Sequence, residues 1–247
     1  VFGHVPMIMG PDKKRFSKRH GAMSVLEYRR QGYLPEAMDN YLARLGWSYG
    51  DQEIFSSLDE LREKFSLHNL SKSACVFDPD KLTWVNSQHI KARSPEDLAP
   101  VLQCHLEAND LPRSDETYLA HLIPLLQPRA KTMQEMAEWS AAFVRGDHEL
   151  SYDPNLLHKF VTSEVAPYLE GLMKGLGELS EFDRESLETF ISGFLEREGI
   201  RFKLLAQPIR VALTGSKASP GLFETMEVLG RKSVLTRLER ALQLAEA

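Results

Sequence analysis

A chain of 247 residues, 43% hydrophobic and 26% charged, can bury one large or two modest cores, and no apolar run approaches the roughly 18 residues of a membrane span. Two isolated cysteines and eight scattered histidines without paired spacing exclude a disulfide framework and give no metal-ligand pattern. The net charge of −5 is uneven: residues 1–30 hold seven Lys or Arg against two acids and residues 201–247 hold eight against four, leaving −14 for the middle. Such a chain suits a polyanionic partner touched at separated places as well as it suits plain solvated faces.

The amino-terminal Val1–Pro6 stretch has none of the stages of a signal peptide, so a cytoplasmic protein whose sequence here starts inside a domain is expected. After the apolar Val5-Pro6-Met7-Ile8-Met9-Gly10 comes a basic loop, Asp12-Lys13-Lys14-Arg15-Phe16-Ser17-Lys18-Arg19-His20-Gly21-Ala22. A mobile lysine, a serine and nearby backbone N–H groups are the means of gripping a phosphate, although the same composition also makes a solvated surface turn.

Ser57-x-x-Glu60 is a capping box leading into Leu58, Leu61 and Phe65, and predicts a helix start. At 74–85 the short runs Ala74–Phe77 and Leu82–Val85, joined by Asp78-Pro79-Asp80-Lys81, predict a small β-hairpin. Ser94-Pro95-Glu96-Asp97 supplies an N-cap, a first-turn proline and acids ahead of Leu98, Val101, Leu102 and Leu106. Thr132-x-x-Glu135 is a second capping box, before Met133, Met136 and Ala137.

Asp183 opens a helical pattern through Leu187, Phe190, Ile191, Phe194 and Leu195, with Gly199 at the C-cap position. Ser219-Pro220 predicts a short helix ending near Gly230, and Val234, Leu235, Leu238 and Leu242 the stripe of a last one. Gly171-x-x-x-Gly175 reads as close helix packing, Thr214-Gly215-Ser216-Lys217 as a helix link, and Phe190, Phe194 and Trp139 as core. No fixed-period repeat is present. Boundaries fall near residues 25 and 93.

Arg15-Phe16-Ser17-Lys18-Arg19-His20-Gly21 resembles the second signature of class I aminoacyl-tRNA synthetases in its glutamyl form, the KMSKS-type loop. Tyr28–Ala37, Asn40–Trp47, Ala206–Gly215 and Ser219–Glu224 resemble the same bacterial glutamyl-tRNA synthetase family, in the right order along essentially the whole chain.

The resemblance implies a mainly α protein: residues 1–24 are the end of a class I catalytic domain, 25–92 a small α/β stem-contact region, and 93–247 an all-helical anticodon-binding cage. It implies a glutamate-tRNA ligase that uses ATP, with Mg2+ expected in the full-length enzyme, to form glutamyl-adenylate and charge tRNA(Glu). Lys18 takes the role of the signature lysine on the ATP phosphates, with Arg15, Ser17 and Arg19 beside it. Arg15 stands where many class I enzymes have lysine, which keeps the charge and changes the donor geometry.

The first class I signature and the glutamate-gripping residues are absent, so the chain is expected to be inactive alone; a tRNA-binding module without catalysis is the alternative. Arg129, in Leu125-Leu126-Gln127-Pro128-Arg129, corresponds to the arginine that reads the third anticodon base, and Arg210 to another anticodon contact. A cytosine edge offers acceptors to guanidinium donors whereas guanine presents N–H donors, so arginine favours tRNA(Glu) over tRNA(Gln). A surface ion pair for Arg129, and a non-discriminating enzyme that also charges tRNA(Gln), are the competing readings. The family expectation is a monomer away from membranes.

Overall fold

The computed structural model describes residues 5–17 and 23–246. Along the chain run β1 (Ile8–Met9), α1 (Val25–Arg30), α2 (Pro35–Arg44), α3 (Leu58–Lys64), β2 (Cys75–Val76), α4 (Pro79–Ala92), α5 (Pro95–Ala108), α6 (Glu116–Leu126), α7 (Met133–Val144), α8 (Pro154–Phe160), α9 (Ala166–Glu178), α10 (Arg184–Glu198), α11 (Phe202–Thr214) and α12 (Leu222–Glu246). The mainly α fold class is as expected. The chain packs as two units, Val1–Asn109 with Gln127–Glu138 and Asp110–Leu126 with Trp139–Ala247.

The caps form where the side chains announce them. Ser57 Oγ accepts from Glu60 N–H, Ser94 Oγ from Asp97 N–H, Thr132 Oγ1 from Glu135 N–H and Asp183 Oδ1 from Ser186 N–H, each satisfying a first-turn donor that has no partner within its own helix. Gly199 closes α10 in the left-handed conformation.

The hairpin at 74–85 is corrected. Cys75–Val76 is a strand, but it pairs in parallel with Ile8–Met9, and its amide neighbours donate to Met7 and Met9 carbonyls (Cys75 N–H 3.1 Å, Phe77 N–H 2.8 Å). The second run lies in α4, where Asp78 is the N-cap, accepting from Asp80 and Lys81 N–H, and Pro79 begins the helix. Asp-Pro-Asp serves a helix start as well as a turn: a capping carboxylate, a preset φ and a first-turn acid stabilise the N-terminus.

In the first unit α2 packs on α4, with Ala37, Met38, Tyr41, Leu82, Val85 and Ile90 buried. Asn40 bridges this layer to the next loop, accepting from Phe55 N–H (2.8 Å) and donating to the Glu53 carbonyl (2.8 Å). Tyr41 Oη exchanges hydrogen bonds with the Asp78 backbone, and burial pushes its pKa up from 10.0 to about 12. The fold therefore favours the neutral phenol: its contribution to stability is whole below pH 10 and is lost as pH rises through about 12. Urea midpoints of the wild type are expected to fall more steeply across that window than those of Tyr41→Phe.

The second unit has its own core, including Leu169, Leu172, Leu187, Ile191, Leu205, Ile209, Met226, Val234 and Leu238. Gly171 and Gly175 let α9 approach α10; a Cβ on Gly175 would stand 2.2 Å from Phe190 Cζ, which confirms the close-packing reading. Gly215 ends α11 at φ +68°, linking it to the next helix. The two last predicted helices are present as read: α12 is two helical segments, the first starting at Leu222 and broken at Gly230, whose φ 76° and ψ 159° are not helical.

Arg237, 1% exposed, is the polar centre of this unit. Its Nε donates to Asp147 Oδ1 (2.7 Å), and its Nη atoms donate to the carbonyls of Ala142, Leu213 and Arg145. Two of those acceptors lie in the final turns of α7 and α11, where carbonyls lack helical donors and a cation is favoured.

Candidate functional site

β1 leads straight into the basic loop, whose first limb is a tight turn. Gly10 N–H donates to the Lys14 carbonyl (2.7 Å), Lys13 N–H to the Gly10 carbonyl (2.9 Å) and Lys14 N–H to Asp12 Oδ1 (3.0 Å), with Lys13 at φ 59°. The returning chain bridges Arg15 to Met9 and sets Phe16 N–H on the Ile8 carbonyl (3.0 Å).

Phe16 then stacks on the buried Phe77 with ring centroids 4.5 Å apart, and Phe77 meets Tyr41 edge-on at 5.4 Å. An aromatic anchor thus fixes the loop's base while Lys13, Lys14 and Arg15 stay exposed. The amides of Lys13, Lys14 and Phe16 are committed within the turn, while the side chains of Lys13, Lys14 and Arg15 are open to solvent. Ser17 is half-buried at the end of this limb; Lys18 and Arg19 lie outside the described residues.

Arg129 is exposed in the loop between α6 and α7. Around it Ala130 is fully buried, Gln127 is half-buried, and the capping box is modified: Glu135 Oε2 accepts from Lys131 N–H (2.8 Å), one residue before the cap. Arg210 is half-buried on α11, and its Nη1 donates to the Ser219 carbonyl (2.9 Å), so this arginine also organises the loop before α12.

Phe190 and Phe194 pack in the second core, as read from sequence, whereas Trp139 is 41% exposed on α7. An apolar cleft of about 320 Å³ lined by Leu26, Arg29, Arg30, Cys104, His105 and Ala108 opens between α1 and α5. Among the described residues no group of three or more His, Cys, Asp or Glu is placed to hold a metal ion, and no helix is long and apolar enough to cross a membrane.

Sequence reading missed Asn86, Gln127, Gly32 and Phe77, which hold these loops. An asparagine inside the apolar face of α4 was the one available signal: Asn86 is fully buried, and a polar side chain there requires partners.

Comparison with known proteins places these features. Residues 95–242 match the family model of an anticodon binding domain, and residues 1–84 that of the class I tRNA synthetase (E and Q) catalytic domain. The chain is 48% identical over 245 residues to a glutamate-tRNA ligase of Syntrophobacter fumaroxidans, covering 99% of this chain and 52% of that protein. It is 46% identical over 239 residues to glutamate-tRNA ligase 1 of Syntrophus aciditrophicus, covering 97% and 50%.

Among solved structures, a glutamate tRNA ligase of Elizabethkingia meningosepticum in complex with its amino acid superposes with a TM-score of 0.84 at 28% identity, covering 98% of this chain and 51% of that one. The chain thus spans about half the length of the relatives it matches. It belongs to the anticodon-binding domain family over residues 95–242, is preceded by a segment that matches the class I catalytic domain, and is similar throughout to about half of a glutamate-tRNA ligase.

Proposed function

We propose that this chain is the tRNA-holding half of a cytoplasmic, monomeric glutamate-tRNA ligase, and that it adds one phosphate-binding loop to ATP-dependent formation of glutamyl-adenylate. The observation that supports it most is the likeness of nearly the whole chain to glutamate-tRNA ligases at 48% and 46% identity. Functionally the chain divides at about residues 24 and 92, with 1–24 serving the catalytic centre, 25–92 the tRNA stem and 93–247 the anticodon.

Lys18 stabilises the ATP phosphates, with Arg15, Ser17 and Arg19 as loop partners and Mg2+ bound with the nucleotide in the full-length enzyme. The anchored base of the loop supports this division of labour, because Phe16 on Phe77 holds one limb while Lys13, Lys14 and Arg15 are exposed. Without the remaining half the chain binds tRNA and catalyses no ATP-pyrophosphate exchange.

Arg129 reads the third anticodon base and Arg210 contacts the anticodon while shaping its loop. An exposed guanidinium on a pinned loop is suited to the acceptors of cytosine and opposed by the donors of guanine. The test is binding of glutamate tRNA transcripts with C or G as third anticodon base, at two salt concentrations. Wild type is expected to prefer C by about tenfold, the usual scale of one good arginine-base contact, and Arg129→Gln to bring the two within about threefold. Both should lose affinity for either transcript as salt rises, since phosphate contacts are sequence-independent. Equal binding of both transcripts by wild type would refute base reading by Arg129.

A further inference from the structure

The loop bearing Arg129 is held on both sides by side chains of the first unit. Before Arg129, Gln127 Nε2 donates to the carbonyls of Ile90 (2.7 Å) and Arg93 (2.8 Å) at the end of α4. After it, the Lys131 carbonyl accepts from Asn86 Nδ2 (2.7 Å), on the same helix. Asn86 is fully buried and completes its bonding at the α1–α2 corner, donating to the Gly32 carbonyl (3.3 Å) and accepting from Leu34 N–H (2.8 Å). Met133 N–H also donates to the Gly32 carbonyl (2.9 Å). Arg93 in turn pairs with Glu36 on α2 at 2.9 Å.

Of these contacts, the ones at Gln127 and Lys131 flank Arg129 by two residues on either side. With the Gln127 side chain and the Lys131 backbone both tied to α4, the main chain that carries Arg129 is held in one place relative to that helix. Hydrogen-bond readout depends on such placement within about half an ångström, whereas attraction to phosphate does not.

We infer that Gln127 and Asn86 are positioning residues for anticodon selectivity, tying the Arg129 loop to α4 of the region assigned above to the tRNA stem. The inference rests on the proposed reading by Arg129. It separates base discrimination from affinity: loosening the clamp should weaken the choice between C and G more than the overall grip on tRNA.

The test uses the full chain with the same two transcripts. Gln127→Met removes both donors while nearly keeping the side-chain length, and Asn86→Leu removes the other clamp. For a variant that melts as one folded species, the C-over-G preference is expected to fall from about tenfold to under about threefold, with the salt dependence of binding unchanged. Amide hydrogen exchange at residues 129–131 should accelerate in parallel.

A folded variant of either kind that keeps the wild-type preference overturns the inference and leaves the Arg129 reading standing. Loss of affinity for both transcripts by the same factor also overturns it, since that marks a merely structural role. Absence of preference in wild type overturns the Arg129 reading and this inference together.

Discussion

Gly32→Ala is expected to lower the stability of the first unit by about 2 to 5 kcal/mol, the sum of roughly 1 to 2 for a left-handed alanine and roughly 1 to 3 for an overpacked site. Gly32 adopts φ +84°, and a Cβ there would lie 2.3 Å from the Gln134 backbone nitrogen and 2.6 Å from that of Met133. Because these neighbours are backbone, no rotamer change relieves the overlap. Relief requires moving the α7 N-terminus away from the corner, which breaks the Met133 N–H bond to the Gly32 carbonyl and strains that from Asn86.

Urea melts of Gly32→Ala and wild type measure the loss directly. A midpoint shift of less than about 1 kcal/mol equivalent would mean that the corner and the start of α7 separate at little cost, contrary to the close packing. The clamp argument adds a second expectation: any Gly32→Ala protein that remains folded should also discriminate poorly between the two transcripts.

Arg237→Met is expected to cost the second unit about 3 to 5 kcal/mol, the scale for removing one partner of a buried ion pair. Methionine fills much of the volume, so the loss is mainly electrostatic. Asp147 is stranded with its side chain only 20% exposed, and the carbonyls of Ala142, Leu213 and Arg145 lose their donor.

Arg240 supports the same loop from the next turn of α12, donating to the Asp147 and Leu150 carbonyls (2.9 and 2.7 Å), but none of its hydrogen bonds replaces those of Arg237. The double variant Arg237→Met/Asp147→Leu should recover part of the loss, with a coupling of roughly 0.5 to 3 kcal/mol, because the unpaired carboxylate is gone. If chemical denaturation shows the single variant within about 1 kcal/mol of wild type, water reaches those acceptors and the cluster is not a stabilising centre.

The two substitutions probe features of different legibility. Nothing local marks Arg237 as buried: in the sequence it is one more cation in a basic carboxy-terminal stretch, and only the convergence of two helix ends makes it the centre of a core. Gly32 lies in Gln31-Gly32-Tyr33, a plausible turn, but the close approach that forbids a side chain comes from residues one hundred positions later.

The misread hairpin has the same origin. Asp78-Pro79-Asp80 satisfies the local rules for a turn and for a helix start alike. The choice was made by Met7 and Met9 carbonyls accepting from Cys75 and Phe77, and by Tyr41 Oη engaging the Asp78 backbone.

Of the candidate site, the basic loop and both arginines were proposed from sequence because their residues resemble a family pattern in order. Their supports were not. Gln127 and Asn86 look like ordinary polar residues until their partners at 90, 93, 131, 32 and 34 are brought together.

The sequence by itself determined the helical class, the cap positions, the close approach at Gly171 and Gly175, and the family to which the chain belongs, since each depends on short-range spacing or on residue order. Only the tertiary structure decided the parallel pairing of β1 with β2, the anchoring of Phe16, the burial of Arg237 and the grouping of residues 127–138 with the first unit. Those depend on contacts between groups far apart in the chain, whose free energy appears only after the loop entropy between them has been overcome.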